Sequence, residues 1–482
     1  MQQINFRYAA LEGGGIEDAS LVVHPGEHVV LLGASGSGKS TLLRLLARLE
    51  QPHSGRLQVS GRVAFVQQDP QAQILGATVL EDVLFGPLNL GYLHAEAATV
   101  ATTALAAVGA AHLASRLPTQ LSYGELQLTA LAGALAMKPD LLLLDEPYAH
   151  LDARHRQHLM QVIRELVQRG TSVIEATHAF TGLKQAQRII LLQQGRIVKQ
   201  GIPTAVLRER RLLQMVGILP RVTWQQKKPT AIKTSATSPS SEPRPLLAEF
   251  KAPEHEPVRL YAGDCVAVMG PTGSGKTSLL LSLIGLDPAG LPLKSDTRTG
   301  YWQVHAKRLG ILPQQPERLF WGRSIGEELL TWLPTVRDGS ARHQTSDMGW
   351  VSDQLLQVGL PADVAGRHIN TLSDGEKRRA ALALALAGQP RLLIADDPFV
   401  GLDRPTAHVI ERVLLTYVNS GGCLVFVTHQ SRWPRRLAGT CIVLDKQKIT
   451  YVGDCKRFYQ SQERLIAAGL RALPESSAPR EV

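Results

Sequence analysis

Short unbroken apolar runs recur along the chain: Val29-Val30-Leu31-Leu32, Leu141 to Leu144, Ser172-Val173-Ile174, Cys265-Val266-Ala267-Val268-Met269, Arg391 to Ala395 and Leu424 to Val427. A strand with one face in water alternates apolar and polar residues. Runs without alternation read as strands covered on both faces, as in a parallel sheet between helices. Two stretches of helical character, Thr41 to Ala47 and Ser278 to Ile284, follow Gly-rich turns that themselves follow apolar runs. Strand, turn and helix in that order, twice over, predict two α/β domains, each with a helical insertion. Ala95 to Ala114 comes closest to a membrane-length apolar run. It is rich in Ala and Thr and carries Glu96 and His112, which suits an amphipathic helix better than a span. Met1 to Arg7 has no apolar segment of the signal-peptide kind.

The two Gly-rich turns read Gly33-Ala34-Ser35-Gly36-Ser37-Gly38-Lys39-Ser40 and Gly270-Pro271-Thr272-Gly273-Ser274-Gly275-Lys276-Thr277, with Thr41 and Ser278 next in line. Each is a G-x-x-x-x-G-K-[ST] phosphate loop. Its backbone N–H groups and the helix N-terminus surround nucleotide phosphates, and the lysine adds charge. Downstream, Leu121-Ser122-Tyr123-Gly124-Glu125 recurs as Leu372-Ser373-Asp374-Gly375-Glu376, and Asp145-Glu146-Pro147 as Asp396-Asp397-Pro398. Leu151-Asp152 recurs as Leu402-Asp403, and Thr177-His178 as Thr428-His429. One constant offset relates all four pairs, which marks an internal duplication.

The chemistry follows from residue type and order. Ser40 and Thr277 offer a hydroxyl to Mg²⁺, and Asp145 and Asp396, each ending an apolar strand, place a carboxylate opposite that metal. Glu146 and Asp397, one residue on, can orient or deprotonate an attacking water. His178 and His429 can reach the γ-phosphate from the far side. In order and twice, these motifs leave little room for coincidence.

Composition adds boundaries. The stretch 221–245 contains Lys227-Lys228-Pro229, Ser238-Pro239-Ser240-Ser241 and Pro243-Arg244-Pro245 and reads as a flexible linker between domains at 1–220 and 246–482. The tail after Ala472 is expected to fray. Net charge is +10 and the pI is about 9.5, which suits nucleic acid or an anionic membrane surface. The basic residues lie in short groups, such as Arg208/Arg210/Arg211 and Arg432/Arg435/Arg436, and are expected to be solvated faces. The four cysteines, Cys265, Cys423, Cys441 and Cys455, have no metal-ligand spacing; Cys265 and Cys423 fall inside apolar runs and read as buried thiols.

The Leu-Ser-x-Gly-Glu sequences resemble the signature of the ATP-binding cassette (ABC) ATPases, and the resemblance covers both halves. It implies two tandem P-loop NTPase domains, each with a helical subdomain, that bind ATP and Mg²⁺. In that family the signature Ser and Gly of one domain contact the γ-phosphate held by the other's phosphate loop. Carried over, one site combines Lys39, Ser40, Asp145, Glu146 and His178 with Ser373 and Gly375. The other combines Lys276, Thr277, Asp396, Asp397 and His429 with Ser122 and Gly124. The resemblance also assigns Gln68 and Gln314 to sensing Mg²⁺ and water, and Tyr8 to stacking on adenine. Phe250, the nearest aromatic in the second half, reads as core. Where the family has glycine, the signatures carry Tyr123 and Asp374, expected to add backbone strain.

After Gln68, the segments Asp69-Pro70-Gln71-Ala72-Gln73-Ile74-Leu75 and Val79-Leu80-Glu81-Asp82-Val83-Leu84-Phe85-Gly86-Pro87-Leu88-Asn89-Leu90-Gly91 look like the ATPases of energy-coupling-factor importers. Those take up cobalt, nickel, biotin, thiamine or its precursors through a small substrate-binding membrane protein. The resemblance implies an ATPase subunit on the cytoplasmic face of the cell (inner) membrane, peripheral, docked to integral membrane subunits. The second half keeps a trace in Leu319-Phe320-Trp321, Ile325 and Glu327-Glu328. A fused ATPase of a monosaccharide importer is the alternative within transport. A soluble tandem ABC ATPase acting on ribosomes or DNA is disfavoured by the short Pro/Ser linker and the lack of a Cys cluster, so a nucleic-acid partner is not expected.

Overall fold

The apolar runs become the central strands of two six-stranded sheets. The computed structural model describes residues 1–8, 15–149, 151, 153–180, 182–219, 244–251, 257–271, 273–283, 301–304, 308–322, 324–332, 347–428, 430, 432–468 and 470. The chain divides into two units, the first over Met1–Trp224 with Gly401–Pro405 and the second over Gln225–Val400 and Thr406–Val482. Of the expected linker, only Arg244 and Pro245 are among the described residues, and the tail after Ala472 lies outside them.

In the first unit the sheet order is Val63–Val66, Leu141–Asp145, Ser172–Thr177, His28–Leu32, Arg188–Gln193 and Arg196–Gly201. The first five are parallel and the last is antiparallel. In the second the order is Leu309–Leu312, Leu392–Asp396, Cys423–Val427, Cys265–Met269, Thr440–Asp445 and Lys448–Asp454, with the same directions. Every residue of His28–Leu32, Leu141–Asp145, Cys265–Met269, Leu392–Asp396 and Cys423–Val427 is buried. Burial on both faces is why these runs lack alternation. The run expected from Arg391 starts at Leu392. Each unit adds a three-stranded antiparallel sheet, ordered Gly15–Ala19, Gln2–Arg7, Ser54–Arg56 in the first and Val258–Tyr261, Leu246–Lys251, Tyr301–Val304 in the second. Phe250, on the middle strand of the latter, is fully buried in the core, as expected.

The helical insertion of the first unit holds Val79–Asn89, His94–Ala107 and Tyr123–Ala136. The stretch Ala95 to Ala114 is less than one helix. It breaks after Ala107, because Gly109 takes φ 74, and resumes as a single 3₁₀ turn at Ala111–Leu113. Its buried residues, Ala97, Ala101, Ala104 and Leu105, form one helical face, so the amphipathic reading holds over the shorter length. No helix among the described residues is long and apolar enough to cross a membrane. The second unit's insertion holds Ile325–Leu330, Asp347–Gln357 and Asp374–Ala387.

Helix starts are set by capping boxes. Thr78 accepts the Glu81 N–H while the Glu81 carboxylate accepts the Thr78 N–H, and Ser324 with Glu327 repeats this in the second unit. Thr78→Ala should therefore lower stability by about 1 kcal/mol, measured by urea denaturation. A change under about 0.3 kcal/mol would show that the box does not hold the helix.

Both basic groups reach solvent. Arg208, Arg210 and Arg211 are exposed, as expected. Arg435 and Arg436 are exposed too, and Arg432 is half-buried. Arg436 Nε nonetheless lies 2.6 Å from Oε1 of the buried Glu411, Arg432 covers Trp433 and Arg435 covers Tyr459. An acid on the distant helix Arg404–Asn419, invisible in a local reading, takes up this charge. All four cysteines are buried and free.

Candidate nucleotide-binding sites

Both phosphate loops bridge a buried strand and a helix that opens at the loop lysine, Lys39–Leu46 and Lys276–Ser282. Their glycines are required by the backbone. Gly38 and Gly275 cap the helices at φ 102 and 92, a left-handed region that disfavours side chains. A Cβ on Gly33 would meet Ser37 Oγ at 2.4 Å and the Leu192 carbonyl at 2.6 Å, and one on Gly270 the Leu444 carbonyl at 2.2 Å. Gly36 and Gly273 take φ 75 and 76, and around Gly36 there is open space. Both loops are thus closely packed on the protein side, and the first is open above at Gly36. The hydroxyls of Ser37 and Ser274 are buried and find no hydrogen-bond partner among the described residues. A cradle of backbone N–H groups with an orphaned hydroxyl fits an anionic phosphate chain.

Lys39 is buried, and its ammonium donates to the carbonyls of Gly33 and Ala34, both at 2.9 Å. Burial depresses its basicity, against the opposing pull of Glu146 and Asp145. Lys276 donates to the Pro271 carbonyl at 2.7 Å. Thr41 and Ser278 lie in the first turns of the two helices. Thr272, Asp152 and His429 lie outside the described residues.

Strand pairing gathers the remaining groups. Asp145 ends a strand paired in register with Ala176, so Thr177 and His178 follow directly alongside. Glu146 is buried with φ 51, and its N–H donates to the Ala176 carbonyl at 2.9 Å. Its Oε1 lies 2.7 Å from His178 Nδ1, and its Oε2 accepts from Thr177 Oγ1 at 3.4 Å. Burial alone would raise the Glu146 pKa, but His178 and Lys39 hold it below the ordinary value. Burial alone would likewise lower that of His178, but Glu146 raises it. The two form an ion pair.

In the second unit Thr277 Oγ1 donates to Asp396 Oδ2 at 3.0 Å, joining the residues expected to share Mg²⁺. Burial and the neighbouring Asp397 push Asp396 up to about 7, opposed by the Thr277 bond, Lys276 and Arg378. Adjacent buried carboxylates of this kind suit a divalent cation. Asp397 takes φ 45 and donates its N–H to the Val427 carbonyl at 3.1 Å, as Glu146 does on its own neighbour strand.

Gln68 and Gln314 follow strands paired with those that end in Asp145 and Asp396, which places both glutamine segments beside the carboxylates. The Gln68 carbonyl accepts from Tyr123 Oη at 3.1 Å, and the Gln314 carbonyl from Arg378 Nη2 at 2.9 Å. Ser122 and Ser373 cap the helices Tyr123–Ala136 and Asp374–Ala387 in matching boxes, each hydroxyl donating to a glutamate, Glu125 or Glu376, at 2.7 Å. Gly124 and Gly375 sit buried in the first turns. The strain expected at Tyr123 and Asp374 is not found. Both are first helical residues without positive φ, a position that any side chain can occupy. The Asp374 side chain is half exposed, 3.8 Å from the Lys377 ammonium. Tyr8 is partly buried, edge-on to Phe6 with ring centres 4.8 Å apart.

Two features beside the carboxylates escaped the sequence reading. One is Arg378, whose only signal was that the duplication places Gln127 at the matching position. The other is a fully buried Glu175, in the strand between Asp145's and the phosphate loop's. Tyr148 Oη donates to Glu175 Oε2 at 3.2 Å, and His28 Nε2 lies 3.4 Å from the same oxygen. An acid inside the apolar run Ser172–Thr177 was the signal for it.

The sequence profile described as ABC transporter matches residues 16–149 and 257–400. The chain is 29% identical over 91% of its length to a Bifidobacterium longum protein provisionally named an ABC transporter ATP-binding protein. It spans 64% of that relative, less than two thirds. A cobalt import ATP-binding protein, CbiO of Syntrophus aciditrophicus, is 35% identical over 47% of this chain and 88% of its own. Among solved structures, that of ribosome-bound archaeal Pelota and ABCE1 has a chain similar over 99% of this one and 84% of its own, with a TM-score of 0.69. At 20% identity that likeness is one of fold.

Proposed function

Because the chain belongs to the ABC transporter family and its domains bind and hydrolyse ATP, we propose that it energises an importer of the energy-coupling-factor type. Its cargo would be a vitamin, vitamin precursor or metal ion. The observation that carries this reading is a set of exposed apolar residues after Gln68. Leu75 is 72% exposed and Phe85 53%, with Leu88, Leu90 and Leu93 also exposed. Large apolar side chains left in water over one short segment mark an interaction site. Likeness to a cobalt import ATPase supports an integral membrane subunit as the partner. In the second unit Trp321, 87% exposed and also a few residues past the glutamine, is the corresponding contact. The protein would then work as a peripheral subunit on the cytoplasmic face of the membrane.

In this reading Lys39 and Lys276 bind the β- and γ-phosphates. Ser40 with Asp145, and Thr277 with Asp396, hold Mg²⁺ together with Gln68 and Gln314. Glu146 and Asp397 activate water, and His178 and His429 contact the γ-phosphate. Each site is completed by the other domain's signature, Ser373 and Gly375 for the first and Ser122 and Gly124 for the second. The segment 221–245 lets domains 1–220 and 246–482 pair within one chain.

Leu75→Asp or Phe85→Asp should weaken capture of the membrane subunit about 10-fold or more, since a charge buried in an apolar interface is costly. Nucleotide affinity should stay near normal. Unchanged membrane association with collapsed ATP binding would defeat the docking assignment. Purification without a membrane protein, but with RNA lost steeply as salt rises, would favour a ribosome- or nucleic-acid-directed ATPase instead.

A further inference from the structure

The duplication breaks at one buried position beside the carboxylates. Arg378, on the helix Asp374–Ala387, is 6% exposed. Its Nη1 donates to the main-chain carbonyl of Asp397 at 2.7 Å and its Nη2 to that of Gln314 at 2.9 Å. The matching residue of the first domain is Gln127, 2% exposed, whose amide N and O find no hydrogen-bond partner among the described residues. One domain therefore has a two-pronged tie between the glutamine segment and the carboxylate segment, and the other has none at that place.

Burying a guanidinium is costly, and its desolvation is only partly offset by Asp397, Asp374, Glu317 and Asp396 around it. The planar fork, with donors set at a fixed angle, is what allows one side chain to hold two carbonyls. What it holds is a strained residue. Asp397 is a non-glycine residue at φ 45, a conformation that persists only when its surroundings over-determine it. Its N–H is bound by the Val427 carbonyl, and its carbonyl receives the Val400 N–H at 3.2 Å as well as Arg378. Glu146 shares the strain and the matching N–H bond, and His178 meets its carboxylate at 2.7 Å. Side-chain length matters here. Glutamate has three torsions and can be aimed by a partner at its tip, whereas aspartate has two and points largely where its backbone sends it.

We propose that Arg378 is the positioning residue for the second domain's hydrolytic carboxylate, locking the Asp397 peptide against Gln314 so that the shorter side chain is held toward metal and water. The inference rests on the proposed role of Asp397. Gln127, with no guanidinium fork, cannot do the same for Glu146.

The test is a double-mutant cycle in the full-length chain carrying Glu146→Gln, so that single-turnover hydrolysis reports the second domain's carboxylate. Arg378→Gln should slow hydrolysis on the order of 10- to 100-fold, the scale of a ~1 Å misplacement, with ATP affinity within about 2-fold. Arg378→Lys, which keeps one donor, should recover most of the rate. In an Asp397→Asn background Arg378→Gln should cost nothing further, because the group that it positions is gone. An equal loss in both backgrounds, no loss in either, or a parallel fall in ATP affinity overturns the proposal. Should Arg378→Gln fail to fold, Arg378→Met and Arg378→Lys carry the same cycle. If Asp397→Asn itself leaves hydrolysis untouched in the Glu146→Gln chain, the role assigned to Asp397 fails, whatever Arg378 does.

Discussion

Lys39→Ala combined with Lys276→Ala removes ATP hydrolysis. Each ammonium sits in the mouth of its loop on the loop's own carbonyls, at 2.9 Å from Gly33 and Ala34 and 2.7 Å from Pro271. The charge is therefore already held within the loop that, in the proposed reading, takes the phosphates. Removing one preorganised donor from developing charge costs on the order of 100- to 1000-fold in rate, and here both sites lose theirs. The fold should survive. Lys39 is a buried cation whose basicity burial depresses, so its loss relieves desolvation while giving up two carbonyl contacts. Circular dichroism with steady-state phosphate release checks both halves of the claim. Residual turnover above about 1% of the parent in a folded double variant would contradict the placement of ATP in these loops.

Glu146→Gln is expected to cost far more hydrolysis than Asp397→Asn. Glu146 is full length, ionised through its pairing with His178, and fixed at 2.7 Å. His178 and Lys39 outweigh the burial that alone would raise its pKa and hold it below the ordinary carboxylate value, so any acid-side loss of hydrolysis on its account should set in lower than for an ordinary glutamate. Asp397 is one methylene shorter, and a base displaced by ~1 Å costs about 100-fold. The second site would then mainly hold ATP, and its residual rate would depend on Arg378. The strain once expected at Asp374 contributes nothing to this difference, since that residue opens a regular helix. Assayed side by side in the full chain, equal losses for the two single variants, or a larger one for Asp397→Asn, would remove the asymmetry.

Much of the molecule is decided by the sequence alone, because local covalent constraints and burial dictate it. Short uninterrupted apolar runs bounded by turns read as strands covered on both faces, and the sheets contain them as read, with boundaries off by a residue at places such as Arg391. Glycines at 38 and 275 permit the left-handed turn that starts each loop helix, so the phosphate loops are legible without neighbours. The duplication follows from spacing. What tertiary structure decided is which side chains from distant segments meet. Arg378 gave no sign that its fork would reach Asp397 and Gln314, nor Tyr123 that its hydroxyl would hold the Gln68 carbonyl. Arg436 is exposed, as its sequence suggests, but its pairing with the buried Glu411 was not legible there. Glu146 and His178 were both named from the sequence, yet their ion pair depends on two adjacent strands ending level. Hydrogen-bond partners in a buried site are set by the register of segments far apart in the chain, and no local pattern of residues carries that information.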